Sequence, residues 1–206
     1  MKGLLGFVFG VGFAGFAHAN LIVNGGFEQG AWAPGGDNSM QLFGGSGAIM
    51  GWSVTGDEIA WIGSSNPYFV SPSEGQRFLD LAGYNNNGSP GGIQQTFATT
   101  IGQQYLLTFD HGASNLYGAS KIVASAAGTT QSWTLTSGAT NLWEGRSMVF
   151  TATSTSTTLS IAEDIQNVGG SVYQGVDNVS VVAVPEPSTI LALSLGAVAL
   201  LRRRKK

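Results

Sequence analysis

Between residues 20 and 184 the chain is a succession of short β-prone runs, each closed by glycine, asparagine, serine or proline, and no stretch repeats apolar residues at helical spacing. Alternation is clearest in "GIQQTFATT", where Ile93, Gln95 and Phe97 point one way and Gln94, Thr96 and Ala98 the other. In "QYLLTFDH" Tyr105, Leu107 and Phe109 share a face in the same manner. The remaining runs are "LIVN" at 21–24, "GWSV", "EIAWIG", "RFLDLAG", "SKIVASAAG", "QSWTLTS", "SMVFTAT", "TTLSIAE" and "VDNVSVVAV". Strands of this length at intervals of eight to twelve residues, with no helices between them, predict an all-β chain folded as an antiparallel β-sandwich or jelly roll. "NNNGSPGG" at 85–92 reads as a loop, because its residues favour turns and Pro90 cannot donate to a ladder.

The two ends have a different character. At the start, Lys2 precedes an apolar stretch from Leu4 to Phe16 and then Ala17-His18-Ala19, the pattern of a secretory signal peptide over residues 1–19, cut before Asn20. At the other end Pro185 and Pro187 cannot both sit in one helix, so "VPEP" separates the last strand from the C-terminal segment. Ser188 to Leu201 carry no charge; as a helix they would reach about 21 Å of a roughly 30 Å hydrocarbon core. The basic residues at 202–206 extend that span by snorkelling and hold the C-terminus on the cytoplasmic side. The expected organisation is therefore a signal peptide (1–19), a β-sandwich (20–184) and a C-terminal segment (185–206).

Pro185, Glu186 and Pro187, the short apolar helix and the Arg-rich terminus together resemble the PEP-CTERM sorting signal of Gram-negative bacteria. The resemblance implies an exosortase as processing partner, transient anchoring in the inner membrane through the C-terminal helix, and delivery to the cell surface or extracellular matrix, in a setting of exopolysaccharide production. A permanent single-span anchor is the alternative, and both place the body outside. Within the body, Asn24-Gly25-Gly26-Phe27-Glu28, Gly51-Trp52-Ser53-Val54, Leu79-Asp80-Leu81, Gly92-Ile93-Gln94-Gln95-Thr96-Phe97, Gly102-x-x-Tyr105-x-Leu107-x-Phe109 and Val176-Asp177-Asn178-Val179 resemble galactose-binding-like jelly rolls. They are most similar to the plant cell-wall domains of unknown function in that superfamily and to their bacterial relatives. The resemblance implies the fold and binding of polysaccharide or cell-wall glycan, without catalysis.

Charge and residue types narrow the function further. Between residues 20 and 184 Arg77, Lys121 and Arg146 stand against eleven acids, a formal charge of −8 that disfavours nucleic acid as a partner. There is no cysteine, so burial and backbone pairing, with or without a metal, must hold the body. Glu28 and Asp177 lie at opposite ends of the body in sequence; a first and last strand brought together would juxtapose them, and Ca²⁺ with backbone carbonyls is the expected relief of their repulsion. Alternatively, both accept backbone N–H groups.

Of five tryptophans, Trp52 and Trp61 sit in strand runs and are expected in the core. Trp32, Trp143, Tyr68 and Tyr84 border loop-like stretches and are the candidate sugar contacts, since an aromatic face stacks on the apolar face of a pyranose. Removal of residues 1–19 leaves His111 as the one histidine, which excludes multi-histidine zinc sites, and there is no G-x-S-x-G elbow. A glycosidase would need two carboxylates roughly 5–9.5 Å apart on one surface. The sequence thus points to an exported, surface-sorted, non-catalytic protein that binds glycan or organises extracellular polysaccharide. The alternative is a structural matrix or adhesion protein with a protein partner.

Overall fold

The computed structural model describes residues 19–84, 89–164 and 172–185. The expected signal peptide up to residue 18, residues 85–88 of the 85–92 loop, and the C-terminal segment with Glu186 and Pro187 lie outside the described residues. Eleven strands form: β1 (Ser39–Phe43), β2 (Ser53–Thr55), β3 (Glu58–Gly63), β4 (Arg77–Asp80), β5 (Gly92–Ala98), β6 (Gln104–Ala113), β7 (Ser120–Ala126), β8 (Thr129–Leu135), β9 (Leu142–Thr151), β10 (Ser156–Glu163) and β11 (Gly175–Ala183). They pair antiparallel into a six-stranded sheet, β1-β3-β4-β11-β6-β9, and a five-stranded sheet, β2-β5-β10-β7-β8. No helix occurs among the described residues, so the expected all-β sandwich is what the chain builds.

Alternation places one set of side chains between the sheets. Ile59, Trp61, Leu79, Leu107, Phe109, Val176 and Val181 from the six-stranded sheet meet Ile93, Ile122, Leu159 and Ile161 from the other. Trp52 and Trp61 are buried here, as expected, with the Trp61 Nε1–H donating to the Phe27 carbonyl at 3.0 Å. Each such side chain contributes roughly 1.5–3 kcal/mol of transfer free energy. Among the described residues the members of this core run from Ile22 to Val181.

Three strand expectations need correction. "LIVN" is not a strand: the Ile22 N–H is taken by the Asn20 side chain, the Val23 N–H by Gln95 Oε1, and Asn24 turns the chain with φ of 54°. Side-chain acceptors thus replace the ladder. β1 is absent from the expected runs because "SMQLF" is an edge strand whose Phe43 faces solvent, which blurs the apolar alternation. β9 begins at Leu142 rather than in "SMVFTAT", since it follows β6 in register from Gln104↔Thr151 to Ala113↔Leu142.

The six-stranded sheet is buried on both faces at one end. Every residue of β3 is buried: Ile59 and Trp61 on the inner face, Ala60 and Ile62 on the outer, where a second apolar cluster adds Val70, Phe78 and Tyr173. That outer cluster forms the base of a cavity.

Candidate functional site

Register determines what the outer face offers. Ala60 pairs with Asp80, Asp80 with Gly175, Gly175 with Gly112, and Gly112 with Trp143, so one row across five strands contains an alanine and two glycines. The small residues lower the sheet surface and Tyr173 lies across it: a Cβ on Gly175 would stand 2.3 Å from the Tyr173 hydroxyl oxygen, and one on Gly112 at 2.7 Å. Loops wall this floor. Tyr68 and Val70 come from the segment after β3, Gly83 and Tyr84 from the one after β4, Tyr117 from the one after β6, and Val172 and Tyr173 from the approach to β11. Together with Ser39, Ala60, Ile62 and Asp80 they enclose a cavity of about 210 Å³.

The tyrosines are held by their polar ends. Tyr68 donates its hydroxyl to Asp37 Oδ2, Tyr84 exchanges a hydrogen bond with Ser39 Oγ, and Tyr117 donates to the Tyr68 carbonyl at 3.3 Å. Burial, followed by the bond to Asp37, pushes the Tyr68 phenol up to about 12, and the same bond holds the Asp37 carboxyl low. Tyr173 differs: it is 3% exposed, and its hydroxyl has no partner among the described residues. An unsatisfied buried hydroxyl costs about 1–3 kcal/mol.

Asp80 is the one carboxyl lining the cavity. Its Oδ1 accepts the N–H groups of Ala82 (3.0 Å) and Gln174 (2.9 Å), and its Oδ2 has no donor among the described residues. The side chain is 8% exposed, and burial lifts its pKa to about 7 against the pull of those two N–H groups. A half-satisfied carboxyl beneath aromatic walls can accept hydroxyl or ammonium protons from a ligand.

The six residues expected to bind ligand or metal divide among three places. Tyr68 and Tyr84 line the cavity. Trp32 and Trp143 are half-buried and lie outside the cavity lining, with their rings in packing contacts. Trp32 meets Trp61 edge-on at 4.8 Å with the Arg77 guanidinium 4.9 Å from its centroid. Trp143 meets Phe78 edge-on at 5.8 Å and donates its indole N–H to the Ser71 carbonyl at 2.8 Å.

Glu28 and Asp177 both brace the segment before β4. Glu28 Oε1 accepts the N–H groups of Gln76 (2.6 Å) and Arg77 (2.8 Å), and the Arg77 guanidinium stands 3.4 Å from Oε2. Asp177 Oδ2 accepts from the Ser73 N–H, the Ser73 hydroxyl and the Glu74 N–H. Backbone donors and, at Glu28, a guanidinium thus engage these carboxylates, as in the alternative reading in which both accept backbone N–H groups. Among the described residues no group of three or more His, Asp or Glu side chains is placed to hold a metal.

His111 is fully buried. Arg146 Nε–H donates to its Nδ1 at 3.4 Å and its Nε2 bonds Ser120 Oγ at 2.7 Å. Burial and then the Arg146 charge press its pKa down to about 3, so it is a neutral core residue. A second hollow of about 350 Å³, at the pole where Ala19, Leu21 and Ala183 meet, carries no ionisable side chain other than Tyr105, whose hydroxyl accepts the Thr100 N–H.

Comparison with known proteins agrees with this fold. The α-L-arabinofuranosidase MgGH51, solved with arabinose bound, superposes with a TM-score of 0.53 at 13% identity over 81% of this chain and 26% of its own. TmCBM61, solved in complex with β-1,4-galactotriose, gives a TM-score of 0.48 at 18% identity over 81% of this chain and 99% of its own. Halomucin of Haloquadratum walsbyi is 34% identical over 111 residues, 52% of this chain, which spans about 1% of that protein's length. Residues 183–205 match the PEP-CTERM protein-sorting motif, which marks chains for export and surface sorting in Gram-negative bacteria. Residues 20–181 match the protein family of unknown function DUF642, and the chain belongs to that family.

Proposed function

We propose that this protein is a non-catalytic glycan-binding module, sorted to the cell surface by an exosortase, that helps organise extracellular polysaccharide. One observation carries the reading: four tyrosine rings, three of them pinned by their hydroxyls, surround a carboxyl with a free acceptor oxygen. Rings supply apolar contact to C–H faces, and the carboxyl selects hydroxyl geometry. At about 210 Å³ the cavity is smaller than the roughly 300–1,000 Å³ of sites that enclose drug-sized ligands, so it suits a single sugar ring rather than a run of them. Non-catalysis is supported by the lining, which has Asp80 and no second carboxyl, while residues 85–88 and 165–171 beside it in sequence contain no Asp or Glu.

The test is calorimetric titration of residues 20–184 with a panel of soluble polysaccharides and their oligosaccharides. Tyr84 is 45% exposed, so Tyr84→Ala should leave folding intact and weaken binding by about tenfold or more. Absence of binding to every glycan by folded protein would refute the reading, as would release of reducing ends.

A further inference from the structure

The composition of the cavity bears on which glycan it takes, an inference that rests on the proposed glycan-binding function. Among the described residues no Lys, Arg or His lines it, and residues 85–88 and 165–171 contain none either. Carboxylates surround it instead. Asp80 lies in the floor, Asp37 holds Tyr68 from behind, Glu58 Oε1 accepts the Tyr84 N–H at 2.9 Å, and Asp177 and Asp80 both act electrostatically on Tyr173. Arg77 is engaged elsewhere, against Glu28 and over Trp32. The polar atoms that the cavity residues leave without a partner among the described residues are the Asp80 Oδ2 acceptor, on a residue 8% exposed, and the fully buried Tyr173 hydroxyl.

Aromatic rings in a negative field, around an unpaired carboxylate oxygen, form the arrangement that binds an ammonium group, because ring quadrupole and carboxylate attract the same charge. We infer that the cavity takes an amino sugar with a free amine, its ammonium placed on Asp80 Oδ2 and its ring among Tyr68, Tyr84, Tyr117 and Tyr173. N-acetylation would remove the charge and add bulk at the position that faces Asp80. A de-N-acetylated hexosamine polymer is thus the matching class of extracellular polysaccharide.

The experiment compares three β-1,4-linked trisaccharides by titration calorimetry at pH 7, where about half of Asp80 is ionised before ligand binds, against residues 20–184. They are the glucosamine trimer, its N-acetylated form, and the glucose trimer with a hydroxyl in place of the amine; choline serves as a cation without a sugar ring. The glucosamine trimer should bind about tenfold or more tighter than the other two sugars. Asp80→Asn should erase that preference, and Tyr84→Ala should weaken the glucosamine trimer while melting like the parent. Equal or tighter binding of the glucose or N-acetylated trimer would overturn this inference and leave the glycan-binding reading standing. Choline binding as tightly as the glucosamine trimer would also overturn it, since the amine alone would then be recognised. Binding of none of the three sugars, nor of any glycan in the wider panel, would remove the glycan-binding reading itself.

Discussion

Replacing Asp80 by asparagine should stabilise the protein at alkaline pH and leave it unchanged at acid pH. Burial raises the folded-state pKa from 3.8 to about 7, so between those values the folded chain holds a proton that the unfolded chain has released. Stability falls as pH climbs from about 4 to about 7 and levels off above, where the buried carboxylate is charged. A shift of about three pH units at 1.36 kcal/mol each puts the full cost at about 4 kcal/mol. Asparagine keeps an oxygen for the Ala82 and Gln174 N–H groups and turns its NH₂ toward the cavity, where water can reach it. For a domain of this size about 4 kcal/mol corresponds to a gain near 10 °C in Tm. Asp177 is raised in the same direction, so the variant remains pH-dependent too; the quantity to measure is the difference between variant and parent. Differential scanning calorimetry at pH 4 and pH 8 decides the matter. An equal increment at both, or a loss at pH 8, would refute the burial argument.

Other outcomes rest on the same contacts. Gly175→Ala places a Cβ 2.3 Å from the Tyr173 hydroxyl oxygen, and should cost about 1–3 kcal/mol in urea unfolding and abolish glycan binding by displacing that ring. Gly25→Ala should be worse, since its Cβ would stand 1.9 Å from the Val179 carbonyl oxygen, and backbone cannot swing aside; failure to recover folded protein is the expected result, and a parent-like Tm would contradict it. Melting in calcium and in EDTA should coincide, because Glu28 and Asp177 are saturated by N–H donors; a rise of several degrees with calcium would restore the metal. Deletion of residues 185–206 should release the body into the medium, measured by immunoblot of cell and medium fractions, and full retention with the cells would count against sorting by the C-terminal segment.

Where the sequence is legible, period two makes it so. β3 coincides with "EIAWIG", and β5 and β6 carry the alternation of Ile93, Gln95, Phe97 and of Tyr105, Leu107, Phe109 into the core. The site is less legible because it depends on which outer face is covered. Leu79-Asp80-Leu81 reads as a strand with its carboxyl turned to water, yet the outer face at Asp80 is roofed by loops, and nothing local to Asp80 signals that roof. Tyr68 and Tyr84 are legible because they border turn residues; Tyr117 and Tyr173 border them too, and only strand register shows that Gly112 and Gly175 make room for Tyr173. Trp143 misleads for the converse reason: Gly138 and Asn141 suggest a loop, whereas pairing with β6 carries β9 back to Leu142. Glu28 and Asp177 do share a task, but the shared object is the N–H groups of residues 73–77.

β11 starts at Gly175 beside the cavity and ends at Ala183, where the sorting motif begins, and Asn20 clasps that same far end through Val181. Nine residues of strand cover about 30 Å. The cavity and the start of the sorting motif therefore stand at opposite ends of one strand, which pairs with β4 beside the cavity and with β6 as far as Ala183, so a load applied at the motif would run lengthwise through a ladder that must shear as a whole before the aromatic end is disturbed.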